Sequence, residues 1–228
     1  MTPTAARVAG YILPAPETPF GAAMHRWFAG PPARADQEVW RAATARPRRY
    51  GPHMTRWAPT RLRADVDGRS AAAALANVAA ALPPPTISAL TLFVADGVLA
   101  LKPVGDGCAL RRVCDVVVAA MDPFRAPLSD AEYARRAAAA ADDAARERLA
   151  RWGYPHVGDG FEPHFTLAVG NGASSLADAA TRNFAGALDD IRTPDLSLML
   201  EPAPGAAFAT LLSSPFGADA MAAAALNA

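Results

Sequence analysis

Apolar positions recur along the chain with two different periods, and the switches between them predict an order of elements. Residues 7 to 13, Arg-Val-Ala-Gly-Tyr-Ile-Leu, read as a buried strand stopped by Pro14, Pro16 and Pro19. Short helices are expected over Phe20–Ala29 and Asp36–Thr44. A further helix over Arg69–Leu82 carries Ala71, Leu75, Val78 and Leu82 on one face and halts at Pro83-Pro84-Pro85. Ile87 to Lys102 predicts a hairpin, with Leu90, Leu92 and Val94 alternating before an Asp96-Gly97 turn. Ala109–Met121 returns to helical spacing through Leu110, Val113, Val117 and Met121. Ser129 to Trp152 predicts one long, largely exposed helix: it opens on the capping box Ser129-Asp130-Ala131-Glu132 and ends at Gly153. Asp142/Arg146 and Glu147/Arg151 would support it as i,i+4 pairs. A strand over Phe161–Val169, a helix over Ser174–Ile191 and a second hairpin (Leu196–Leu200 with Phe208–Leu212) follow. The alanine-rich stretch Ala218–Ala228 reads as a frayed tail.

One tripeptide pattern occurs twice, as His53-Met54-Thr55 and His164-Phe165-Thr166, 111 residues apart. Each copy precedes a helix and then a hairpin, with Leu90 lying 37 residues after His53 and Leu198 lying 34 after His164. Motif and element order agree on an internal repeat. The expected fold is α+β and bilobal: a duplicated single domain over residues 1–228, with two antiparallel sheets around a central cleft and helices outside.

Composition narrows the class. The 228 residues are 52% hydrophobic and 19% charged, a globular balance. No apolar run reaches the ~18 residues that cross a bilayer, and no secretory leader is visible over Met1–Gly10. Cys108 and Cys114 are six apart in a helical pattern, too few and too poorly placed for a zinc site and unsuited to a mutual disulfide. A cytoplasmic setting is expected. Net charge is zero, so no global attraction to DNA, RNA or anionic membrane is expected. Locally, seven arginines and no acidic residue lie between Arg41 and Arg63, around His53. Either an anion-binding rim or a solvated basic loop satisfies that pattern.

The two motifs carry the chemistry. In a strand, residues i and i+2 share a face, so each copy sets an imidazole beside a hydroxyl. Opening a phosphodiester needs a base for the attacking water and an acid for the leaving oxygen, and imidazole serves as either near neutral pH. His53 and His164 are the candidate catalytic pair, in either order. Thr55 and Thr166 are candidate donors to the non-bridging oxygens. No metal and no cofactor is needed. Tyr50, Trp57 and Phe161 flank the motifs, and one of them is a candidate to stack on a sugar or base, with core or rim packing as the default for all three. His25 and His156 read as positions without a catalytic role.

Longer segments narrow the comparison. Arg48-Arg49-Tyr50-Gly51-x-His53-x-Thr55, Asp122-Pro123-Phe124-Arg125-Ala126-Pro127-Leu128, Arg151-Trp152-Gly153-Tyr154-Pro155, Phe161-x-x-His164-x-Thr166-Leu167 and Glu201-Pro202-Ala203-Pro204-Gly205 all stand in this chain. With the paired motif, they resemble the two-histidine (2H) phosphoesterase superfamily, and within it the phosphonate-metabolism branch encoded beside carbon–phosphorus lyase genes. The resemblance implies His53 and His164 as the catalytic pair, and Thr55 and Thr166 as phosphate ligands, with Tyr50, Arg49 and Arg56 as further substrate-binding candidates. It also implies a small cyclic sugar phosphate as substrate, 5-phosphoribosyl 1,2-cyclic phosphate being the leading case. Two positions depart from the family pattern. Pro52 stands where an aromatic is usual and puts the motif at a strand edge or start. Arg56 stands where an apolar residue is usual, as an extra phosphate contact or a sign of altered preference.

The expected activity is therefore a metal-independent cyclic phosphodiesterase. One rival keeps the chemistry and takes RNA 2′,3′-cyclic ends or a cyclic ADP-ribose derivative, and neutral net charge disfavours long RNA. Another is a non-catalytic binding or assembly protein of the carbon–phosphorus lyase system, docking through the exposed helix over Ser129–Trp152.

Overall fold

A computed structural model describes residues 6–95 and 97–217. Asp96 of the expected turn and the Ala218–Ala228 tail lie outside them. The chain opens on β1 (Arg7–Ile12), followed by α1 (Pro19–Ala29), α2 (Gln37–Tyr50), β2 (Met54–Thr60) and α3 (Gly68–Ala81). The hairpin β3 (Ile87–Ala95) and β4 (Val98–Pro103) comes next, then α4 (Cys108–Met121), α5 (Asp130–Ala138), α6 (Asp143–Trp152) and β5 (Phe165–Val169). The last elements are α7 (Ala177–Asn183), β6 (Asp189–Ile191), β7 (Asp195–Glu201) and β8 (Ala209–Pro215).

The strands form two antiparallel four-stranded sheets in the orders β2-β1-β7-β8 and β5-β4-β3-β6. The fold is bilobal α+β with peripheral helices. The halves are exchanged in a specific way. β3 follows the first motif but joins the second sheet, whereas β7 follows the second motif and joins the first. Each motif strand, β2 or β5, is thus an edge strand, which is where Pro52 is tolerated.

Helices exchange as well. α1 leaves the first sheet and buries Trp27 under β5, its indole N–H donating to Leu167 O at 3.0 Å. α4 leaves the second sheet and packs against β2, its Cys114 thiol donating to Arg56 O at 3.4 Å. One continuous core joins both halves, including Phe20, Trp27, Met54, Leu75, Leu101 and Phe165. Phe20 meets Phe165 edge-on, with centroids 5.1 Å apart.

The expected single helix from Ser129 to Trp152 is two. Ser129 does form a reciprocal capping box with Glu132. Asp142, however, turns its carboxylate to Ala145 N at 2.7 Å and starts a new helix instead of pairing with Arg146. Capping wins because the alanines before it offer no buried apolar anchor to hold a continuous rod. Arg146 pairs with Asp143, and Arg151 reaches Asp122 at 3.1 Å. The expected helix over Ser174–Ile191 ends at Asn183, and Asp189–Ile191 forms β6, with Ile191 buried opposite Ile87. Conversely, α2 runs past Thr44 to Tyr50 with Pro47 inside it.

Glu201 pins the approach to the first motif. Its fully buried carboxylate accepts from Arg7 Nε on β1, from Arg49 Nη2 at 2.8 Å on α2 and from Gly205 N at 3.0 Å in the β7–β8 turn. Phe208 N donates to Arg49 O at 2.7 Å, completing the clasp. Hydrogen bonding to Arg7 holds the Glu201 carboxyl below its usual range. Glu201→Ala should therefore lower stability by about 2–3 kcal/mol at neutral pH. A group with a depressed folded pKa stabilises above its unfolded value near 4.5 and loses that effect as pH falls, so the deficit should shrink on acidification. Urea midpoints at pH 7 and pH 4 measure both. Equal midpoints for wild type and variant at pH 7 would contradict the clasp.

Candidate active site at the two edge strands

Both motifs are built alike. β2 begins at Met54 and β5 at Phe165, so each histidine sits one residue ahead of its strand. His53 Nδ1 lies 2.9 Å from Gly51 O, and His164 Nδ1 lies 2.7 Å from Glu162 O. A carbonyl only accepts, so Nδ1 carries the proton in both rings, and Nε2 is left as the free basic nitrogen of each neutral imidazole. The first carbonyl is aimed by Gly51, whose φ of +72° lets the chain leave α2 and double back.

Directly after each threonine the edge strand bulges. Gly10 pairs with Trp57 and Tyr11 with Thr55, leaving Arg56 as the extra residue. Leu99 pairs with Ala168 and Ala100 with Thr166, leaving Leu167 extra. Arg56 and Leu167 are also the residues whose carbonyls accept from Cys114 and Trp27. The repeat therefore extends beyond the tripeptide to strand register and to the helix that supports each bulge.

Electrostatics separate the two histidines. His53 is half-buried against Tyr11, with centroids 4.2 Å apart, and against Tyr50 at 5.5 Å. Burial, opposed by the Gly51 hydrogen bond and reinforced by the charge of His164, brings its pKa down to about 4. His164 is exposed. Each ring is thus within electrostatic reach of the other, the first neutral over the physiological range. Thr55 and Thr166 are both half-buried on their edge strands.

The other sequence candidates fall into different settings. Tyr50 stacks on Phe208 at 5.1 Å as well as facing His53. Arg49 is held by Glu201, and its Nε is buried without a partner. Arg56 is not on a rim. The bulge turns it inward, where it is fully buried over the Phe161 ring at 5.3 Å. Its Nη1 donates to Thr55 O at 3.1 Å and its Nη2 lies 3.0 Å from Met54 Sδ, while Nε has no partner. Burial brings its pKa down to about 10. The arginine-rich stretch is likewise no continuous rim, since Arg61 forms a fork with Glu132 (2.8 and 2.7 Å), Arg63 pairs with Asp65, and Arg48 covers Trp40.

Three residues to which the sequence assigns no role lie near the motifs. Tyr11 is wholly buried beneath His53 with its hydroxyl unpartnered, and burial raises its pKa. Tyr154 is pushed up to about 12 by burial, with Arg136 and Arg46 acting against it. His156 packs edge-on against Tyr154 at 5.2 Å, and burial, then the charge of His164, lowers its pKa. Among the described residues no group of three or more His, Cys, Asp or Glu side chains is placed to hold a metal ion. No helix among them is long and apolar enough to cross a membrane.

The chain is similar in sequence to known proteins. A protein of Laribacter hongkongensis (strain HLHK9) named ribose 1,5-bisphosphate phosphokinase PhnN is 33% identical over 219 residues, covering 89% of this chain and 50% of that protein. A protein of the same name from Janthinobacterium sp. (strain Marseille) is 29% identical over 235 residues, covering 92% of this chain and 51% of that one. The chain spans about half the length of these curated relatives. A solved structure described as a phosphoesterase aligns over 92% of this chain and 97% of its own, with 15% identity and a TM-score of 0.43. The model of the family described as proteins of unknown function, DUF1045, matches residues 55–209, from the first motif's threonine through the whole second motif, and the chain belongs to that family.

Proposed function

We propose that the protein is a metal-independent phosphodiesterase that opens a small cyclic sugar phosphate between His53 and His164. The observation that carries this reading is the matched pair of Nδ1–carbonyl bonds, which leaves two free Nε2 atoms, each one residue ahead of the edge strand of its own sheet. His53, neutral and half-buried, takes the proton of the attacking water. His164, exposed, gives its proton to the departing sugar oxygen. One P–O bond forms, the other breaks, and one water is consumed, with the rings exchanging protonation states. Thr55 and Thr166 hold the non-bridging oxygens from the same strands.

The substrate class draws support from chemistry and from the names of the relatives. Opening 5-phosphoribosyl 1,2-cyclic phosphate at the P–O2 bond leaves phosphate on O1, which gives ribose 1,5-bisphosphate. That is the compound named in the two curated relatives, of which this chain matches about half. A cyclic ester that yields it fits the resemblance of the motifs to the phosphonate-metabolism branch.

Two predictions follow from these assignments. His53→Ala and His164→Ala should each lower kcat/KM on the cyclic ester by about 10²–10⁴-fold, with thermal midpoints near that of wild type. Product analysis by phosphorus NMR, with excess chelator present, measures the loss. Activity within threefold of wild type in either variant would sink the reading. The acid limb of kcat/KM should lie near pH 4, because His53 must be neutral to act as base. An acid limb near pH 6.5 would instead fit an unperturbed imidazole base.

A further inference from the structure

Behind Thr55 a narrow recess of about 20 Å³ runs between β2 and the segment that joins α6 to β5. It is lined by three arginines, Arg56, Arg125 and Arg136, and by no carboxylate. Arg125 is neutralised by Asp122, 2.9 Å from its Nε. The other two are not. Arg136, half-buried on α5, spends one nitrogen on Gly153 O at 2.8 Å and forms no ion pair among the described residues. Its neighbour Glu132 is already committed to both terminal nitrogens of Arg61. Arg56 is fully buried over the Phe161 ring, finds only a carbonyl and a thioether as polar partners, and keeps Nε unpartnered.

Buried charge without a counter-ion is costly, and proteins retain it chiefly where something of opposite sign binds. Burial lowers the pKa of both guanidiniums, the direction expected when no anion is present to hold the charge. Tyr154 and His156 also line the recess, beside apolar side chains such as Trp57, Trp152 and Phe161, and the phenol lies within the fields of Arg136 and Arg46. The recess accommodates about one water-sized group. It therefore suits a single phosphoryl oxygen, with the rest of the phosphate outside it.

We propose that this recess is a second anion subsite, in which Arg136 and Arg56, with Tyr154, hold a phosphate monoester carried by the same substrate whose cyclic ester lies between His53 and His164. The substrate class is then a cyclic diester with a separate terminal phosphate, such as a 5-phosphorylated pentose. Arg136 reaches the subsite from α5, so the α5–α6 pair reads the substrate's far end. The inference rests on the diesterase reading for what lies at the histidines, and on the recess alone for the anion.

The test compares a cyclic ribose phosphate with its 5-phosphorylated form. Wild type should favour the phosphorylated form by about 100-fold in kcat/KM. Arg136→Gln should lose about 30-fold on that form, mainly through KM, and less than twofold on the form without the 5-phosphate. Tyr154→Phe, which keeps the ring packing, should show the same pattern at about 3–10-fold. Equal losses on both substrates, or no preference in wild type, would overturn the subsite. A dinucleotide 2′,3′-cyclic phosphate preferred over the phosphorylated sugar would assign the second phosphate to an RNA chain and overturn the small-substrate form. Calorimetry with ribose 5-phosphate on the His53→Ala/His164→Ala double variant separates the two readings. Binding that Arg136→Gln abolishes upholds the subsite even if no cyclic ester is opened. Ester opening without such binding overturns the subsite and leaves the diesterase standing.

Discussion

The geometry of the site depends on a hydrogen bond made twice, from an imidazole Nδ1–H to the carbonyl two residues earlier in the chain. It fixes the tautomer, directs the ring and frees the other nitrogen, without recruiting a carboxylate that would raise the ring's pKa. Gly51 supplies the carbonyl at the first motif, and the Glu201 clasp on Arg7, Arg49 and Gly205 holds the end of α2 from which Gly51 departs. The Glu201-Pro202-Ala203-Pro204-Gly205 segment thus acts at a distance: it positions His53 through the backbone of another element.

Exchange of strands and helices between the halves ties the two motif strands to each other's half of the fold. Each edge strand leans on a helix from the opposite half, and each bulge carbonyl accepts a donor from that helix. The halves have diverged at one bulge position. Leu167 lies in the shared core, whereas Arg56 brings an unpaired charge into the interior, beside a recess in which no carboxylate answers it. The tripeptide, its carbonyl bond and its bulge repeat between the halves, whereas the buried guanidinium of Arg56 does not.

Much of the fold was legible in the chain. The two hairpins, the helices at Phe20, Arg69 and Ala109, and the duplicated motif all announced themselves through period or punctuation. The misses have physical causes. Ile191 continued a helical stripe because three residues are too few to show a period of two, yet it is buried as a strand residue opposite Ile87. The break at Asp142 looked like an ion-pair position because aspartate suits both an i,i+4 pair and an N-cap. Tyr11 was hidden in an apolar run, because β1 packs helices on one face and carries an aromatic floor on the other, with Tyr11 joining Ala9, Met199, Tyr50 and Phe208. The burial of Arg56, which belonged to a stretch read as either an anion-binding rim or a solvated loop, was not legible because a one-residue bulge, which inverts the direction of a side chain, leaves no mark in sequence. At the candidate site, the two histidines and their threonines were apparent, while Tyr154, Arg136 and His156 depended on the placement of α5, α6 and the segment before β5.

The central claim, that two imidazoles act on a single phosphorus atom, is tested most directly by nitrogen-15 NMR of the histidine rings with one equivalent of a hydrolysis-resistant cyclic sugar phosphorothioate. The account predicts that both neutral rings carry their proton on Nδ1, and that the Nε2 resonances of His53 and His164 shift together and saturate at one ligand per chain. A shift confined to one of these rings, or two rings that saturate at different ligand ratios, would contradict it.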